Sequence, residues 1–416
     1  MTAQLSEFRD IANGEFETST LLKNAASQAE ERGYDDFLIV DVDSHHYETD
    51  SWDEIFEYIE DPVLRTEAKY QGNQPGGIGS PDGGYQAMAG RITRYPGRKI
   101  EKVPETHKHR DIERMRRWMD AMGVDIACMF PTPMLNLSVC PRTEVQVGLA
   151  WAYNRWLCER VLGEEPRLKS MLYLPFNDPA ASLKMVEELG AMPGVIGFVV
   201  TAPHYRGVYE NAYAPLYSAL QERNLPLAFH AAFNWADESL ALTNRFIGVH
   251  ALGFVWHNMV HMTNWVVNGM PERFPRLKTI WIESGLAWLP FLMQRLDNEY
   301  MMRSSDAPLL KKMPSEYMAE MYYTNQPMEM VGNARQLELT FEMINARTQL
   351  LYSSDYPHWD MDLPSVIYDL PFLAENEKRN ILGGNALKLF NLEPDFSKPK
   401  LDRRAAKQAK PNAAHV

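Results

Sequence analysis

The sequence predicts an α/β fold, a parallel (β/α)8 barrel of the TIM type. Three observations point to it. Short apolar runs at 37–43, 124–130, 168–176, 195–201, 225–231, 277–283, 320–325 and 349–354 read as buried strands. Most intervals between them carry apolar residues at helical spacing, and strands alternating with helices imply a parallel sheet. Several runs end in an acid or an imidazole: Asp43 and His45 after FLIV, His230 after LPLAF, Glu283 after LKTIWI, Asp355 after QLLYSS. In a parallel barrel the chemistry sits where the strands end.

The elements follow in order. Residues 1–35 form a polar leader, expected to be an arm that packs on the barrel or on another subunit; the barrel itself is expected over 36–394. After the first strand, residues 71–109 are rich in Gly and Pro and have no apolar period. A long loop on the chemical side of a barrel reads as a lid or an interface arm. RDIERMRRWMDAM, 110–122, has helical spacing and stops at Gly123. Residues 179–189 open with Asp178 as N-cap and Pro179 in the first position, and end at Gly190. Residues 213–224, 246–268, 286–303, 332–345 and 376–391 also read as helices. Residues 395–416 are basic and poor in apolar side chains, which predicts a disordered tail.

Composition narrows the partners. A net charge of −13 argues against nucleic acid, because phosphate binding needs clustered Lys and Arg. No stretch reaches the ~18 apolar residues of a membrane span, and the N-terminus lacks a charged segment followed by an apolar one. Three widely spaced cysteines, Cys128, Cys140 and Cys158, make neither a disulfide framework nor a CxxC site, so a reduced, cytoplasmic protein is expected. The 23 Met and 10 Trp suggest a soft pocket lining or a subunit interface, with ordinary core filling as the alternative.

Strand alternation puts Asp41, Asp43 and His45 on one side of DVDSHHYE, so Asp43 and His45 are placed to chelate one cation. Glu48 follows in the loop; capping of the next turn is its other reading. His230, Glu283 and Asp355 end later strands, and a carboxylate is rarely buried unless paired or metal-bound. His257 and His261 lie four apart on a helix and share a face, with His250 on the same stripe; a polar helix face explains them equally well. His358, near Asp355, reads as an acid/base partner, and His204 as a substrate contact. Arg206 could hold a substrate carboxylate bidentately. Oxygen and nitrogen donors without thiolate suit Mn or Fe and permit Zn. Asp43, His45, Glu48, His230, His257, His261, Glu283 and Asp355 exceed the needs of one ion, which predicts two.

These residues, with MDAMGVDIACMFPT (119–132), YNRWL (153–157), LYLPFNDP (172–179), ERFPRLKTIWIESGLAWLPFLMQRLD (272–297) and SSDYPHWD (353–360), resemble the amidohydrolase-related family, amidohydrolase type 2. The resemblance implies a (β/α)8 barrel with a metal at the strand C-termini. It implies Asp43, His45, His230 and Asp355 as ligands. Two positions depart from the common pattern: Asp43 stands where many relatives have His, and Glu283 where hydrolases and decarboxylases commonly place His. No Lys ends the fourth strand, so a carboxylated-lysine bridge is not expected.

SDYPHWD with the D-x-D-x-H opening is similar to a branch that contains non-heme dinuclear oxygenases of the 2-aminoisobutyrate hydroxylase kind. That resemblance implies an Fe/Mn oxygenase hydroxylating a small organic acid with O2, with a paralogous barrel subunit and a ferredoxin-type electron donor, as a homo- or hetero-oligomer. The alternative is a metal-dependent hydrolase or non-oxidative decarboxylase of a small carboxylate, with Asp355 or His358 as acid/base. A non-catalytic partner barrel is a further alternative.

Overall fold

The computed structural model describes residues 17–71, 100, 102–104, 106–201, 204, 206–232, 237–329 and 333–393. Eight strands form one parallel sheet in sequence order. They are β1 (Val40–His46), β2 (Ile126–Pro131), β3 (Leu168–Tyr173), β4 (Val195–Thr201), β5 (Leu227–His230), β6 (Thr279–Ile282), β7 (Tyr322–Thr324) and β8 (Leu350–Leu351). The sheet curls back on itself: Val42 N donates to Tyr352 O at 2.9 Å, Asp355 N to Asp43 O at 2.8 Å, and Ser44 bridges Tyr356 in parallel. The protein is a nearly closed (β/α)8 barrel. Its strands are buried on both faces, which is why they read as continuous apolar runs rather than alternating ones.

Local chemistry sets the helices as the sequence predicts. The Arg110–Met122 helix starts where the His109 side chain accepts from Asp111 N, and ends at Gly123 in the left-handed region (φ 81°), where a Cβ would be strained. The Pro179–Leu189 helix is capped by Asp178, whose side chain accepts from Ala181 N. The Phe246–Val267, Trp288–Arg303 and Ala334–Met343 helices fall within the expected ranges.

Three elements differ from expectation. β1 runs to His46, so Asp43 and His45 lie inside the strand rather than at and beyond its end. The Thr143–Leu157 helix has no sequence signal because Leu149, Ala150, Ala152, Tyr153, Asn154 and Trp156 bury nearly its whole circumference and erase the amphipathic period. The expected 376–391 helix is interrupted by a π-helical turn at Asn380–Gly384, and the Ile381 carbonyl in that turn accepts from Tyr352 N.

Within the polar leader, Thr18–Glu31 is helical and packs Leu22, Ala25 and Ala29 inward against the Arg110–Met122 helix. Arg32 pairs with both Asp369 oxygens at 2.8 and 2.6 Å. Residues 1–16, the centre of the expected lid (72–99) and the expected tail lie outside the described residues. One apolar core joins the barrel interior to the helix layer and absorbs most of the Trp and Met, so core filling accounts for them better than a pocket does. No described helix is long and apolar enough to cross a membrane.

Candidate metal centre

The site is built at the C-terminal ends of β1, β5, β6 and β8. On β1 the register shifts between Asp41 and Ser44, and Asp41 Oδ1 pins the irregularity by accepting from Asp43 N (3.1 Å) and Ser354 N (3.0 Å). That leaves Asp43 and His45 directed at the same interior point as His230 from β5. Glu283, just past β6, and Asp355, past β8, both hold left-handed backbone, with φ of 57° and 58°. Non-glycine residues rarely adopt that conformation, and such strain concentrates at functional sites. It is fixed here by hydrogen bonds: Glu283 N donates to Thr324 Oγ1 and Asp355 N to Asp43 O.

The side chains converge. His45 Nε2 lies 3.1 Å from Asp43 Oδ1 and 3.3 Å from Asp355 Oδ1; His230 Nε2 lies 3.2 Å from Asp43 Oδ1. Glu283 Oε2 is 3.4 Å from His230 Nδ1. Donor atoms of Asp43, His45, His230 and Glu283 all lie within 4.8 Å of one another, as do those of His45, Asp355 and His358. The His45 and His230 imidazoles are oriented from behind. His45 Nδ1 is 2.9 Å from the Pro131 carbonyl and His230 Nδ1 is 2.6 Å from the Ala231 carbonyl, so each Nδ1 donates backward and each Nε2 faces the interior.

These residues fit a divalent cation. Neighbouring donors around an ion bound at ~2.1 Å stand roughly 3.0–3.4 Å apart, and the spacings among Asp43 Oδ1, His45 Nε2, His230 Nε2 and Asp355 Oδ1 given above match. Asp43, His45, His230, Glu283 and Asp355 are buried, yet Oδ2 of Asp43, both oxygens of Asp355 and Nε2 of His45 make no hydrogen bond. Burial, reinforced by mutual repulsion, pushes the carboxyls of Glu283 and Asp355 well above the usual range. Burial opposes ionisation of Asp43 too, but the His230 and His45 imidazoles outweigh it and hold that carboxyl low. Burial presses His358 down to about 4. Three carboxyls share a dry pocket with the His45, His230 and His358 imidazoles, an arrangement that a cation relieves.

Other expected ligands stand apart from this cluster. Glu48 is a correction: both its oxygens are spent on backbone, Oε2 accepting from Thr132 N (2.9 Å) and Oε1 from Met134 N (2.7 Å). Burial raises its carboxyl to about 7. His257 and His261 are also corrected. They lie in the helix layer outside the barrel wall, where His261 stacks on His204 at 4.1 Å and His257 faces Asp237 at 3.7 Å. Helical spacing put the two histidines on one face but could not show which way that face points. His204 is thereby taken up in the same stack. Arg206 is paired with Glu210 (2.9 Å) and lies over the Tyr213 ring, so its guanidinium is already engaged. His250 approaches Asp360 at 3.9 Å.

Residues that the sequence did not single out complete the surroundings. His46 bridges Asp111 (3.2 Å) and the Tyr153 hydroxyl (2.8 Å), tying the end of β1 to two helices. Thr132 Oγ1 is 3.4 Å from His358 Nε2. A lone Thr after an apolar strand carries no signal of its own.

Comparison with known proteins agrees with this geometry. The chain is 24% identical over 298 residues to the gamma-resorcylate decarboxylase of Polaromonas sp. strain JS666, covering 67% of this chain and 87% of that one. It matches the enzyme of the same name from Rhizobium sp. strain MTP-10005 at 24% over 312 residues, covering 69% of this chain and 89% of that one. Among solved structures, 5-carboxyvanillate decarboxylase from Sphingomonas paucimobilis superposes with a TM-score of 0.60 at 21% identity, covering 86% of this chain and all of that one. The dihydroxybenzoic acid decarboxylase of Polaromonas sp. JS666, solved with bound manganese and an inhibitor, superposes at 0.58 and 19% identity, covering 88% of this chain and 99% of that one. The amidohydrolase family model matches residues 132–392, a span from the end of β2 through the β5, β6 and β8 termini that carry His230, Glu283 and Asp355, and with that the chain belongs to the amidohydrolase family.

Proposed function

We propose that this protein is a metal-dependent, non-oxidative decarboxylase of a small carboxylate, with a hydroxylated aromatic acid as the first substrate class to test. The relatives named above are decarboxylases, so they favour this alternative over the Fe/Mn oxygenase that the sequence motif suggested first. Iron and a ferredoxin donor lose their motive with it. The observation that carries the reading is the convergence of Asp43, His45, His230 and Asp355, with Glu283 beside them, on one buried point.

Both donor groups share a single nitrogen, His45 Nε2, because Nδ1 is committed to Pro131. One lone pair serves one ion, so we favour a single cation over two, with manganese as the first choice. When bound, it would act as a Lewis acid on the substrate oxygens. The remaining chemistry belongs to the chain. The bond from the substrate carbon to its carboxylate breaks, CO2 leaves, and the carbon takes a proton. Asp355 suits that transfer: its Oδ1 faces His45 and His358, and neither of its oxygens is spent on a hydrogen bond. The buried walls keep bulk water from competing for the reacting carbon.

The test is an anaerobic assay of Mn-loaded protein against a panel of hydroxybenzoates carrying 13C in the carboxylate. Labelled CO2 release, lost in Asp355→Asn, is expected. No CO2 from any member, together with substrate-dependent O2 uptake by Fe-loaded protein and reductant, would return the oxygenase reading.

A further inference from the structure

We infer that the outward face of the Phe246–Val267 helix is a self-association surface, and that what covers it is the same face of a second copy of this chain. The inference goes beyond the decarboxylase reading and its test needs no catalytic assay.

The face is marked by what its sequence omits. In 22 residues the helix carries no Asp, Glu, Lys or Arg. Its three histidines are engaged elsewhere: His250 approaches Asp360, His257 faces Asp237, and His261 stacks on His204. Leu252, Trp256 and Val260 are 51%, 44% and 38% exposed and follow one another at helical spacing, so they form one row along the helix. Ile247, 78% exposed, flanks the start of that row. Gly248 opens the row, and a Cβ built there would meet nothing within 4 Å, so another backbone can approach closely. A surface helix normally turns charged and polar side chains outward. A contiguous apolar row in their place marks a contact surface.

Charge selects what covers it. The chain carries a net charge of −13, so two copies repel unless they meet through an uncharged patch. A basic partner is drawn to carboxylates, and this helix has none. An anionic lipid surface needs Lys or Arg beside the apolar row, and the helix has neither. An uncharged apolar row is complementary to itself, which is what a two-fold interface requires. Size agrees. At the usual rise the helix is ~33 Å long. The Trp288–Arg303 helix packs beside it, with Phe291 half-exposed. Two such helices at ~10 Å spacing present a face of roughly 600 Å2, of the order of the ~800 Å2 that each partner contributes to a standard interface.

The experiment is sedimentation equilibrium of the full chain as wild type, Trp256→Glu, Gly248→Glu and Val63→Glu. Val63 is an exposed apolar residue on a different helix, Pro62–Gln71, and serves as the control. Wild type is expected to dimerise at micromolar concentration, and more tightly as salt screens the repulsion between the copies. Trp256→Glu and Gly248→Glu are each expected to weaken the dimer by about 30-fold or more, and Val63→Glu to leave it unchanged. Far-UV circular dichroism checks that each variant folds; should Trp256→Glu fail to, Gly248→Glu, whose added side chain starts in open space, decides alone. A monomeric wild type, a dimer that salt weakens, or a dimer that keeps its affinity in the folded Glu variants of this face overturns the inference.

Discussion

At Asp355 two costs meet: a left-handed backbone with φ of 58° and a carboxyl buried among other carboxyls. Without a cation, the folded state raises this group's pKa above its unfolded value. Stability from that group is therefore complete below the unfolded pKa, near ~4, and is lost as pH rises toward the folded value. Asn removes the ionisation and tolerates left-handed backbone. Metal-free Asp355→Asn is thus expected to unfold at higher temperature than wild type at pH 8. The advantage should shrink on acidification by up to roughly 1.4 kcal/mol for each pH unit. Thermal unfolding of both proteins across pH 5–8 checks it; a pH-independent difference would show that burial of Asp355 carries no ionisation cost. The same residue explains why chemistry was legible here in the sequence. A carboxylate or imidazole ending an apolar run has few explanations, and Asp43, His230 and Glu283 shared them. Glu48 looked alike in sequence but spends both oxygens on Thr132 and Met134 N–H groups, a use that depends on a loop 84 to 86 residues away.

Among the elements, strands were more readable than the helices that cover them. β3, β4 and the Arg110–Met122 and Pro179–Leu189 helices follow from apolar runs, N-caps and glycine stops, all of which are local. The Thr143–Leu157 helix was hidden because tertiary burial, not local pattern, decides its sequence. The face of the Phe246–Val267 helix could not be oriented either: the helix carries no charged side chain, so neither sign of charge marks its outer side, and its histidines turned out to stack in the helix layer. Helix packing also supports the site. Trp118, on Arg110–Met122, is fully buried and stacks on Tyr356 at 4.9 Å, next to Asp355. Trp118→Ala is expected to cost about 3–5 kcal/mol in denaturant unfolding. A loss below about 1 kcal/mol would mean that this helix does not brace the β8 loop.

For the whole molecule, barrel closure is what turns distant residues into one site. His230 lies 187 positions from Asp43 in sequence and 3.2 Å from it in space. The fold and this convergence followed from the sequence because parallel barrels put strand ends on one rim. The number of ions did not, since it depends on tautomers that the Pro131 and Ala231 carbonyls set. The central claim is that a cation replaces the protons of this buried cluster, and metal binding to protonated ligands releases them. Calorimetric titration of Mn2+ into metal-free protein, in buffers of different ionisation enthalpy, tests it most directly. One ion per chain with net proton release is expected, and none in a His45→Ala/His230→Ala variant. Binding without proton release, or equal binding by the double variant, would contradict the account.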